Sequence, residues 1–153
     1  MGAQRRLDEV SVFGGKLSFL IPHEWIEDQS EEDTYLYHAP ETNSGWLRVS
    51  LITIATPTPD DRLRALFVDS AKCYKSRKRG NLVEPSVKSS HENGTDIYIY
   101  YWKVANVLQP NRVLEAVFSY TILAARRDDS ETQEEVELIG SLVSEATFSG
   151  GPQ

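Results

Sequence analysis

Val12-Phe13-Gly14-Gly15-Lys16-Leu17-Ser18-Phe19-Leu20-Ile21-Pro22 decides how the rest of the chain is read. Val10 and Val12 alternate with polar neighbours, and Gly14-Gly15 supplies a tight reversal. Leu17, Phe19 and Ile21 then alternate again until Pro22, which has no backbone N–H to pair, stops the strand. The pattern predicts an N-terminal hairpin that leads into an antiparallel sheet.

Working outward, Glu27 to Asp33 reads as a polar, acidic loop, followed by a short strand with Tyr35 and Tyr37 on one face and Leu36 on the other. A longer strand runs from Trp46 to Ala55, with Leu47, Val49 and Leu51 pointing one way and Arg48 and Ser50 the other. Thr58, Pro59, Asp60 and Asp61 form a helix start: a capping hydroxyl, a proline at the first position, and acids at the positive end of the dipole. The helix is predicted over Pro59–Ser76, with Lys75, Lys78 and Arg79 at its far end and Gly80 as its stop.

Pro85 marks the polar strand from Leu82 to His91 as an edge strand, and Asn93-Gly94 turns it into the next one. That strand, Asp96 to Val104, is apolar on both sides: Ile97, Ile99 and Tyr101 face one way, and Tyr98, Tyr100 and Trp102 the other. Leu114, Ala116, Phe118, Tyr120 and Ile122 alternate in a further strand with one buried face. Ser130-Glu131-Thr132-Gln133 matches a capping box at the head of a second helix, predicted over Glu131–Ala146, whose stripe is Val136, Ile139, Leu142, Val143 and Ala146. The expected fold is a single α+β domain over residues 1–153, with flexible ends at 1–8 and 149–153. Its core is a twisted, mainly antiparallel sheet of about six or seven strands flanked by two helices.

Composition removes several classes of function. A net charge of −7 argues against nucleic acid as the main partner, because neutralising phosphates needs clustered Lys and Arg. Cys73 is the only cysteine, so neither an intrachain disulfide nor a thiolate zinc site is expected. His23, His38 and His91 fall in separate segments without ligand spacing. No metal and no cofactor are expected. The polar stretch Met1 to Val10 lacks the apolar core of a secretory signal, and the expected location is the cytoplasm without membrane insertion.

Two features are candidates for partner contact. One is the aromatic face of Tyr98, Tyr100 and Trp102, which Trp46, Tyr35 and Tyr37 extend where their strands are neighbours. Its alternative is a strand covered on both faces by helices. The other is the acidic run with Glu27, Asp28, Glu31 and Glu32, a solvated loop or a docking surface for a basic partner.

The order of strands and helices, Phe13-Gly14-Gly15, the stop at Ile21-Pro22, and Pro22-His23-Glu24-Trp25 together resemble the Mog/PsbP-like group. That group includes the Ran-binding Mog proteins, the PsbP proteins, and bacterial relatives of DcrB and the Eag chaperones. The residue-level likeness covers about residues 12–38, and the bacterial branch matches best. The resemblance implies an α/β/α sandwich whose members act by binding rather than by catalysis. Mog proteins carry an acidic Ran-binding segment after the hairpin, where this chain has Glu27 to Asp33 without the Arg-x-Val-Pro-Asp pattern.

The expected function is therefore a non-enzymatic protein- or peptide-binding adaptor, with a homodimer as one form of partnership. Two alternatives stand beside it: a secretion-associated chaperone or carrier holding an apolar helix or small ligand, and a small enzyme with a cleft near His38, Cys73 or His91.

Overall fold

The computed structural model describes residues 5–31, 33–40, 45–66, 73–76, 78–109 and 111–149. In chain order the elements are β1 (Leu7–Val12), β2 (Leu17–Pro22), β3 (Ile26–Glu31), β4 (Thr34–His38), β5 (Trp46–Ala55) and α1 (Pro59–Leu66). There follow β6 (Tyr74–Lys75), β7 (Leu82–Glu92), β8 (Thr95–Gln109), β9 (Arg112–Leu123), α2 (Ser130–Ser144) and β10 (Thr147–Phe148). They build two antiparallel sheets, one ordered β1-β2-β10 and the other β3-β4-β5-β9-β8-β7-β6. The fold class is the expected one, α+β.

The opening hairpin forms as predicted. Val12 pairs with Leu17, and the turn between them takes positive φ at Phe13 (55°), Gly14 (65°) and Gly15 (89°). Two adjacent glycines make that run possible, since they carry no Cβ to clash. Asn93 and Gly94 also take positive φ, 51° and 79°, and close the β7–β8 hairpin.

Alternation along each long strand divides the large sheet into two faces. On the inner face two rungs cross the strands: Tyr37, Leu47, Tyr120, Tyr100 and Val87, and beside them Tyr35, Val49, Phe118, Trp102 and Pro85. The small sheet covers one end of this face. Phe19 meets Tyr37 and Phe118 edge-on, at centroid distances of 5.7 and 5.1 Å. Trp25 stacks on Tyr120 at 6.0 Å. Helix α2 covers the remainder with Ile139 and Val143, both buried. The opposite face receives α1 against β8 and β9, where Ala105, Val113 and Glu115 are buried.

Several expectations are corrected. The acidic stretch is not a loop: Ile26–Glu31 forms β3, an edge strand, a position where charged side chains are common. The first helix is described over Pro59–Leu66, and Tyr74–Lys75, predicted as its last turn, instead pairs with Leu82–Val83 as a short strand. Cys73 therefore lies outside α1, half-buried, and the predicted helical residues 67–72 lie outside the described residues. The capping box does not form. Asp129 is the N-cap, and the Gln133 side chain donates to the Arg127 carbonyl instead of reaching back to Ser130. Thr147–Phe148, between the predicted second helix and the tail and assigned to neither, joins β2 as a third strand.

Candidate functional site

The inner aromatic face decides the site. Tyr100 and Trp102 stand on neighbouring rungs of β8, beneath α2. Trp102 is 6% exposed, and Gly140 of α2 lies directly over its indole. A Cβ on Gly140 would fall 2.9 Å from Nε1 of Trp102, so only a glycine lets the helix sit this low. Between α2 and β7 the helix leaves a groove of about 500 Å³. Its floor is Pro85, Val87, Tyr100 and Trp102, and its wall is Val136 and Gly140, with Glu137 and Ser141 at the rim.

Val87, 58% exposed, is the apolar side chain at the outer lip of this groove. Tyr74 closes the end nearer Val83, donating its hydroxyl to Ser144 Oγ at 2.8 Å, while Ser144 Oγ donates to the Gly140 carbonyl at 2.6 Å.

Asn81 fixes the helix over the sheet. It is 1% exposed, and its Nδ2 donates to the carbonyls of Ser144 (3.1 Å) and Ala146 (2.7 Å). Its Oδ1 accepts from Asn106 Nδ2 at 2.7 Å. The last carbonyls of a helix have no intrahelical partner, and here a buried amide supplies one. The position of α2, and hence the width of the groove, depends on this contact.

The other candidate residues do not form one surface. Tyr98 is held off the groove by Arg127, whose guanidinium lies 4.6 Å over its ring and donates to its hydroxyl. Tyr35 and Tyr37 share the inner face but lie under the small sheet, where Phe13 packs on Tyr35 at 4.9 Å and Tyr37 is fully buried. Trp46 occupies the opposite face and packs against His38 at 4.2 Å, because it shares the parity of Arg48. It does not extend the Tyr100–Trp102 surface.

The acidic residues are divided as well. Glu27 accepts the Tyr37 hydroxyl at 2.6 Å, and Asp28, the next residue along β3, projects to the other face. Glu32 and the side chain of Glu31 lie outside the described residues.

Burial and the bond to Glu27 push the Tyr37 hydroxyl well above the usual phenol range. Burial does the same for Tyr120. Tyr37 stays protonated as the donor to Glu27. Burial also raises the Glu115 carboxyl, against the pull of Lys103 and Arg62. The histidines are engaged separately: His23 with Asp8 at 2.8 Å, His91 with Asp96 at 2.6 Å, and His38 with the Ala39 carbonyl at 2.8 Å. Among the described residues, no three His, Cys, Asp or Glu side chains converge on a metal site.

No family model and no curated protein matches the chain. Several solved structures share its fold, among them the following two. A Bacteroides thetaiotaomicron protein is 17% identical with a TM-score of 0.64, over 92% of this chain and 48% of that one. LpqN of Mycobacterium tuberculosis, involved in cell envelope biogenesis, is 11% identical with a TM-score of 0.62, over 96% of this chain and 92% of that one. The chain thus spans about half the length of the Bacteroides protein. At these identities the likeness is one of fold. Among the described residues, no helix is long and apolar enough to cross a membrane.

Proposed function

We propose that this domain is a non-enzymatic binding module that takes an apolar segment of a protein partner into the groove between α2 and β7. The observation that carries this reading is Trp102 and Tyr100 on the floor of a groove whose outer lip, Val87, is 58% exposed. Aromatic side chains at the bottom of an accessible groove are the usual anchors of a protein contact. The resemblance to the Mog/PsbP-like group, whose members act by binding, supports the same choice over catalysis.

A volume of about 500 Å³ is also the size of a small-molecule pocket, which favours the carrier alternative as a second reading. The groove opens along the sheet edge, and that shape suits a chain lying across it better than an enclosed ligand. The test is peptide binding. Decapeptides selected from a random phage-displayed library against the intact protein are expected to bind the wild type. Val87→Asp should weaken them at least about tenfold by placing an unpaired charge at the lip. Ile52→Asp, at a side chain 49% exposed on the opposite face, should leave affinity unchanged. Equal affinity for wild type and Val87→Asp, or loss with Ile52→Asp alone, would refute the assignment.

A further inference from the structure

From the edge of the large sheet we infer that the partner segment binds as an added β-strand, pairing its backbone with β7 while alternate side chains enter the groove. This rests on the groove reading above and specifies the conformation of what the groove holds.

The two edges of the seven-stranded sheet are built differently. At one, β3 carries Glu27 and Asp28, and its pairing with β4 shifts register between Asp28 and Glu31. Charges and bulges of this kind keep other strands from pairing with an edge. At the other, β6 covers only Leu82 and Val83. From Glu84 to Glu92, β7 runs without a register shift and, among the described residues, without a neighbour on its outer side. Its guards are Pro85 and Lys88, and between them stands Val87.

The direction of the backbone groups can be read from one backbone contact and from the place of Pro85. The Asn81 carbonyl accepts from the Ser76 N–H at 2.9 Å, so Asn81 turns its backbone away from β8 and toward β6. In an antiparallel ladder every second residue repeats that orientation, which assigns Val83, Pro85, Val87, Ser89 and His91 to the outer side. Pro85 fits the same parity, because a residue without an N–H is tolerated where that group would face away from its partner strand. Val87, Ser89 and His91 therefore offer N–H and C=O groups to an incoming strand. Such a strand would span eight positions of β7, from Pro85 to Glu92, or about 26 Å at ~3.3 Å per residue.

The side chains select the partner's chemistry. Val87 shares the face of Tyr100 and Trp102, so a strand beside β7 would place every second residue over the groove, against Val136 and the α2 flank. Those residues should be apolar. Glu137 at the rim, on a chain of net charge −7, calls for a Lys or Arg among the remainder. The partner is thus an extended segment with alternating apolar residues and at least one basic side chain.

Hydrogen exchange with the phage-selected peptides tests this. Amides of Val87, Ser89 and His91 are expected to exchange freely in the isolated protein and to slow at least about tenfold when peptide is bound. Ser89→Pro removes one outward N–H at a position of Pro85 parity. It should keep the fold yet lose at least about tenfold in affinity. Peptides that bind through the groove, as Val87→Asp would reveal, without protecting these amides and with no loss in Ser89→Pro, would overturn strand addition alone. Failure of any peptide to bind would overturn the groove reading together with it. Amides already protected in the free protein, more strongly at higher protein concentration, would assign the edge to a second copy of this chain and refute the inference.

Discussion

The Cα of Gly140 lies so close above Trp102 that a methyl group added to it would stand 2.9 Å from the indole nitrogen. Alanine in place of a mid-helix glycine ordinarily raises stability by about 1 kcal/mol. Here the added carbon meets a buried ring that has little room to move, and overpacking of that kind costs about 1–3 kcal/mol. Gly140→Ala should therefore fail to stabilise the protein in urea titrations, and it should weaken peptide binding by lifting α2 or turning the indole. A gain of the full helical increment with unchanged affinity would show that the contact does not shape the groove.

Asn81 carries the second prediction. Its side-chain amide holds two carbonyls at the end of α2, in a site with 1% exposure. Asn81→Ala leaves those groups and the Asn106 amide short of partners, at a cost of about 2–3 kcal/mol. Urea unfolding measures the loss. A change under about 0.5 kcal/mol would place it with ordinary surface substitutions and contradict the role of Asn81 as the clamp of α2.

Glu115 gives the pH dependence. It is 4% exposed beneath α1, its Oε2 has no hydrogen-bond partner among the described residues, and burial holds its carboxyl above the ordinary range. The native state thus keeps this proton to higher pH than the unfolded chain does. The residue's contribution is complete in acid and declines as pH rises from the ordinary carboxylate value through the raised native one. Glu115→Gln stays neutral throughout. It should match the wild type near about pH 4 and exceed it at neutral pH. A difference that does not vary with pH would remove this account.

Tyr37 and Glu27 tie β3 to the rest of the large sheet through a 2.6 Å bond from a fully buried hydroxyl. Tyr37→Phe keeps the ring and removes the donor, and should cost about 1–2 kcal/mol. Amide exchange along Ile26–Asp28 should quicken more than exchange in β9. Uniform behaviour across the sheet would show that the bond does not hold this edge.

Much of this architecture was legible where one physical signal dominated. The Gly14-Gly15 turn, the Asn93-Gly94 turn and the alternation from Leu114 to Ile122 each specify local geometry that tertiary packing then kept. The misread segments are those where neighbours outweighed local preference. Glu27 to Glu31 has the composition of a loop and becomes a strand because β4 offers a pairing edge and Tyr37 a hydroxyl. Tyr74 and Lys75 continue a helical pattern but are taken by β7. Only half of the site was legible: Tyr100 and Trp102 stood out as aromatic, but parity within one strand says nothing about which face a helix will cover. Gly140 inside an apolar stripe and Val87 inside a polar edge strand were the available signals for the rest of the groove, and each needs the fold to acquire meaning.

The central claim, that a partner is held between α2 and β7, is tested most directly by a backbone and indole amide shift map of the intact protein saturated with a selected peptide. The account predicts shifts concentrated at Val87, Val136, Gly140, Ser141 and the Trp102 indole. Shifts confined to Trp46, His38 and Ile26 on the opposite face would contradict it.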